Sequence, residues 1–127
     1  MEPEHNVSSA DNGKTVAIIS YLSIVGWLIA YLAFHNEKKT ELGSYHLRQT
    51  LLFYIACFGV YIIWSVIVVA FLLSLSLSLA GLAWVLSWVL YIGVLVLWVV
   101  GFIGAINGEK KPIPFIGEKA QSIFKGI

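Results

Sequence analysis

The sequence predicts an all-α integral membrane protein: three transmembrane helices, then a short amphipathic helix at the C-terminal interface. Three observations predict it. Gln49 to Gly108 is a run of 60 residues without Asp, Glu, Lys, Arg or His. A spanning helix needs about 20 apolar residues, so this run holds two spans and a turn. Thr15 to Phe34 is a second charge-free stretch and supplies a third span. Finally, 59% of the 127 residues are hydrophobic and 12% charged, against about 25% charged in soluble domains. A soluble fold of this size could not bury so much apolar surface.

Residues 1–14 read as a polar, acidic tail carrying Glu2, Glu4, Asp11 and the single cation Lys14. A secretory leader would begin with positive charge, so the stretch behind this tail reads as a retained first span. That span is expected over about 15–36. Ile18, Ile19, Leu22, Ile24, Val25, Leu28, Ile29 and Leu32 cover most of its circumference, as suits lipid or a bundle interior.

A charged loop follows, with Lys38, Lys39, Arg48, Glu37 and Glu41. Ser44 is the expected N-cap of the second helix. Tyr45, His46 and Arg48 then fall on its first turn, near the headgroups. The second span is expected over 47–73, with Tyr54, Tyr61 and Ser65 at helical spacing. Unpaired hydroxyls are costly in lipid, so these residues should find partners. Cys57, the single cysteine, excludes an intramolecular disulfide.

From Leu73 to Leu79 Leu and Ser alternate strictly. Alternation normally signals a strand. A lone strand in lipid leaves its edges unsatisfied, so a helix end, a turn around Ser74–Ser78 and a restart are expected. The third span is expected over 80–107. Trp84 and Trp88 suit an interfacial anchor near its start. Gly101, Gly104, Ala105 and Gly108 share one face near its end, a candidate helix-packing seam.

Pro112 and Pro114 end the span. Beyond them Ile116, Ala120, Ile123, Phe124 and Ile127 recur at helical spacing, with Glu118, Lys119, Gln121, Ser122 and Lys125 opposite. That pattern predicts a short helix lying on the membrane surface. The chain thus divides into a tail (1–14), a three-span domain (15–108) and an amphipathic tail (109–127).

Basic residues number one in the N-terminal tail, three in the first loop, none in the second and four at the C-terminal end. By the positive-inside rule, three spans put the N-terminus outside and the C-terminus in the cytoplasm of a plasma membrane. The net charge of +1 gives no case for nucleic acid. The expected partners are the bilayer and either further copies or other membrane proteins. No cofactor is expected. His35, Glu37, Glu41 and His46 are the sole cluster of ligand-type residues, and their spacing is irregular for zinc. The charge-free spans lack the ionisable groups of coupled carriers.

Three stretches carry a resemblance: Lys14-Thr-Val-Ala-Ile-Ile-Ser-Tyr-Leu22, Glu37-Lys-Lys-Thr-Glu-Leu-Gly-Ser-Tyr-His-Leu-Arg-Gln49 and Ile106-Asn-Gly-Glu-Lys-Lys-Pro-Ile-Pro-Phe-Ile-Gly117. From Lys14 to Phe124 the chain resembles a bacterial family of small membrane proteins of unknown function. That family is related to the channel-forming subunit of the chloroplast inner-envelope import machinery. The resemblance implies a non-enzymatic membrane component, in the setting of a channel or translocation-like assembly. The alternative is a membrane enzyme or accessory subunit using the loop from His35 to His46.

Overall fold

A computed structural model of the chain describes the backbone from residue 2 and side chains from residue 12. The described residues form five α-helices: α1 (Glu2–Leu22), α2 (Ile24–Ile29), α3 (Glu41–Leu73), α4 (Leu77–Asn107) and α5 (Gly117–Ile123), with a π-helical segment Ala30–His35 continuing α2. The described residues include no strand.

α3 and α4 are long enough and apolar enough to cross a bilayer. The most apolar 18 residues of α3 include no buried position, and those of α4 only 17%. They are therefore not the core helices of a soluble protein. At 1.5 Å per residue, the 33 residues of α3 extend about 50 Å, so its polar first turns project beyond a hydrocarbon core of about 30 Å.

The caps explain the boundaries. Thr40, not Ser44, caps α3: its Oγ1 accepts from Gly43 N–H at 3.0 Å, and Glu41 complements the positive helix end. α3 stops at Ser74, Leu75 takes φ 54°, and Ser76 Oγ accepts from Leu79 N–H to start α4. Of the alternating Leu/Ser stretch, only residues 74–76 form the tight turn between the two helices; the rest continues α3 or begins α4. α4 ends at Gly108, whose φ of 69° is left-handed. There Gly108 N–H bonds Ala105 O and Glu109 N–H bonds Gly104 O, the Schellman pattern.

The first apolar stretch is not a span. Ser23 is extended (φ −173°, ψ 173°), and its Oγ accepts from Gly26 N–H at 3.0 Å to start α2. The chain reverses there, and both α2 and the π-helical segment pack back along α1. Asn12 Nδ2 donates to Lys38 O at 3.1 Å, closing the base of this helical hairpin. Two spans replace the expected three, and residues 12–14 lie at the same end as the 36–40 loop, not at the opposite end. Residues 1–11 of the expected polar tail lie outside the described side chains.

A helix ending in an apolar stretch must satisfy its last carbonyls. Here the donors come from the two spans. Tyr54 O–H donates to Ser20 O at 2.7 Å, and Trp98 Nε1–H donates to Tyr21 O at 2.9 Å.

The buried core sits at this end of the molecule. Ala17, Tyr21, Phe53, Ala105 and Ile113 form one cluster; Val16, Trp27, Ala30 and Leu47 form a second. The short C-terminal helix forms as α5, though it starts at Gly117 and one side of it is covered by protein. It docks on α3, with Gly117 and Ala120 buried, while Ile123 stays exposed.

Candidate functional site

The three stretches with the family resemblance meet in one polar cluster. Tyr21 comes from the last turn of α1, His46 and Gln49 from the first turns of α3, and residues 109–113 from the loop after α4. His46 Nε2 lies 2.8 Å from Glu109 O, which can only accept, so Nε2 carries the proton. The other nitrogen, Nδ1, then accepts from Tyr21 O–H at 3.2 Å. The Tyr21 oxygen in turn accepts from Gln49 Nε2–H at 2.6 Å. Gln49 also donates to Lys111 O at 3.1 Å and accepts from Ile113 N–H at 2.9 Å.

Each of the three side chains thus uses its polar atoms on the others or on the loop. Two residues beyond the held segment, Phe115 takes φ 70°, a backbone state that costs a bulky residue about 1–3 kcal/mol. Burial holds His46 below the usual histidine range, with the Glu109 carbonyl pulling the other way. His46 lies about one turn before the membrane-crossing part of α3, and a neutral ring suits its two partners.

His35 is a separate site. Its Nε2–H donates to Ile127 O at 3.0 Å, and Ser44 Oγ donates to the same carbonyl at 3.2 Å. Burial depresses its proton affinity first, and Lys39 and Arg48 add to that, against the opposing Ile127 bond. His35 and His46 therefore face different partners. No grouping of three or more metal-ligand side chains occurs among the described residues.

The interfacial loop residues divide in use. Lys38 offers its carbonyl to Asn12. Tyr45 stands edge-on to His46 at 5.3 Å between ring centres, and its carbonyl accepts from Gln121 Nε2–H at 2.9 Å. Arg48 donates to Gln121 Oε1 at 3.3 Å and Lys125 O at 3.2 Å, while its Nε is buried without a partner. Lys39, Arg48 and Lys110 line an open cleft of about 400 Å³ with Thr40, Tyr45 and Glu41.

The small residues of α4 have distinct surroundings. A Cβ on Gly101 would sit 2.6 Å from Tyr21 Oη and 2.8 Å from Ile113 Cδ1; one on Gly104 would sit 2.6 Å from Lys111 Cβ. Ala105 is buried in the core cluster. Gly108 is not part of this packing: it serves as the left-handed helix cap.

Sequence reasoning did not single out Tyr21, Gln49, Trp27 or Trp98. One signal was available for Gln49. A primary amide at the threshold of a charge-free run needs partners before it can enter lipid.

No solved structure matches the chain. A UPF0132 membrane protein of Methanocaldococcus jannaschii is 24% identical over 99 residues, covering 78% of this chain and 62% of the relative. The chain therefore spans less than two thirds of that protein's length. These similarities support a membrane-protein family and lend none to the chloroplast import channel. With its match over residues 12–119, the chain belongs to the magnetosome magnetite crystal formation protein family (MamF/MmsF).

Proposed function

We propose that this protein is a non-enzymatic membrane component: a two-span anchor that holds a rigid basic cap against one face of a bilayer for assembly with other membrane proteins or further copies. Mutual satisfaction of Tyr21, His46 and Gln49 carries the reading. Their polar atoms are spent on holding the 109–113 loop, so the cluster acts as a structural clasp rather than as a free acid–base pair. All eight Lys and Arg side chains belong to the cap end, which supports a cytoplasmic cap by the positive-inside rule. Both the described N-terminal residues and the C-terminal segment then face the cytoplasm, with Ser74–Ser76 outside.

The family is described by magnetosome magnetite crystal formation. For this chain we read that as service at a membrane. A channel or translocation assembly is one setting for such a component. Two spans cannot enclose a pore, so copies or partners would have to complete it.

In-membrane crosslinking of the full chain, followed by mass measurement, tests the assembly. A discrete oligomer or hetero-complex is expected; a chain recovered only as monomer overturns it. The non-enzymatic part fails if membranes carrying the protein turn over a substrate and His46→Gln abolishes that turnover while the fold is unchanged.

A further inference from the structure

We propose that the cleft between the start of α3 and the loop after α4 binds the phosphate of an anionic phospholipid headgroup. Lys39, Arg48 and Lys110 come from three separate segments and line one cleft of about 400 Å³, within the usual range for small-ligand sites of about 300–1,000 Å³. Gathering like charges is unfavourable unless an anion joins them.

Glu41 offsets one of them, pairing with Lys110 at 3.2 Å. The Glu41 side chain is 92% exposed, so this pair is weak and displaceable. Lys39 and Arg48 remain unbalanced by any acid in the cleft. Thr40 and Tyr45 also line it, and the first turn of the 33-residue α3 contributes through Glu41 and Ser44.

Depth selects the source of the phosphate. Arg48 is the last charged residue before the 60-residue charge-free run. The cleft therefore lies at headgroup level, where lipid phosphate is concentrated. A zwitterionic headgroup would bring its own cation to a positive wall, so a net anionic lipid fits better.

The test uses the full chain in neutral detergent and reads thermal unfolding and native mass spectra. The probes are short-chain phosphatidylglycerol, phosphatidylcholine of the same chain length, and inorganic phosphate. Phosphatidylglycerol is expected to raise the midpoint saturably and to be retained on the protein; phosphatidylcholine is not. Lys39 and Lys110 are exposed, so Lys39→Gln with Lys110→Gln should fold. This pair should weaken the lipid's apparent affinity roughly 30-fold, as expected for two basic contacts to an anionic headgroup. Lys119→Gln removes an exposed charge outside the cleft and should change affinity by less than about twofold. Equal loss in Lys119→Gln would mean diffuse surface charge and overturn the site. Equal effects of the two lipids would overturn anion selectivity. Saturation by inorganic phosphate at the same or lower concentration would overturn the lipid source, and no response to any probe would overturn the proposal outright.

Discussion

The two long helices run through two different environments. At the cap end, the start of α3 and the end of α4 enclose α1 and the 109–113 loop, and side chains bridge residues more than 60 positions apart. At the far end the same helices meet little but each other. Among the described residues, one side-chain hydrogen bond joins them there, Trp64 Nε1–H to Ser87 Oγ at 2.8 Å. Gly59, Gly81 and Gly93 face open space, whereas Gly101 and Gly104 are filled by neighbours. In lipid, apolar surface gains nothing by leaving one hydrocarbon for another, so close packing and hydrogen bonds must specify a contact. The contacts that specify the fold therefore concentrate at the cap end, and few lie in the outer hairpin.

Side-selective labelling gives the largest contrast, because it is all-or-none. Cysteines introduced as Asn12→Cys and Ser122→Cys should react with an impermeant thiol reagent from the same face, and Ser76→Cys from the opposite one. Labelling of Asn12→Cys from the face that labels Ser76→Cys would restore a third crossing and break the comparison.

Glycine replacement comes next. Gly101→Leu forces a side chain into Tyr21 and Ile113 and should cost about 3 kcal/mol. Gly93→Leu enters open space and should stay within about 0.5 kcal/mol. Chemical unfolding in detergent reads both; equal losses would mean that the two halves are packed alike.

Hydrogen-bond removal sharpens the same contrast at smaller scale. Gln49→Leu strands the buried Ile113 N–H and should cost about 2–3 kcal/mol. Trp64→Phe removes the outer tie and should cost about 0.6 kcal/mol. A larger loss from Trp64→Phe than from Gln49→Leu would move the specifying contacts outward.

The smallest effect is that of pH. His35 and His46 have folded pKa values held below the ordinary value, about 6.5. Below that pH the unfolded chain binds more protons than the folded one. The contribution is therefore complete above about pH 6.5 and is lost as pH falls through the lower folded values. The unfolding midpoint should drop on acidification, and His46→Gln should flatten part of the slope. The charge-free outer hairpin should keep its far-ultraviolet helical signal over the same range. A midpoint that rises on acidification would reverse the sign.

The chain's residues by themselves determined the helical class, since lipid leaves no other use for so long an apolar run. The Leu/Ser turn, the end of α4 at 107 and the clustering of basic residues were legible too, because each depends on neighbours close in sequence; the cap at Gly108, read as part of a packing seam, was not. The span count was not. Thr15–Phe34 has the length and apolarity of a span, and nothing local to Ser23 marks a reversal. Only the tertiary structure decided that, because the carbonyls freed at the end of α1 are satisfied by Tyr54 and Trp98, which are 34 and 77 residues away from their partners. The clasp of Tyr21, His46 and Gln49 was hidden for the same reason. Hydropathy counts what each residue would gain from lipid; it does not register a polar group whose partner arrives from another helix.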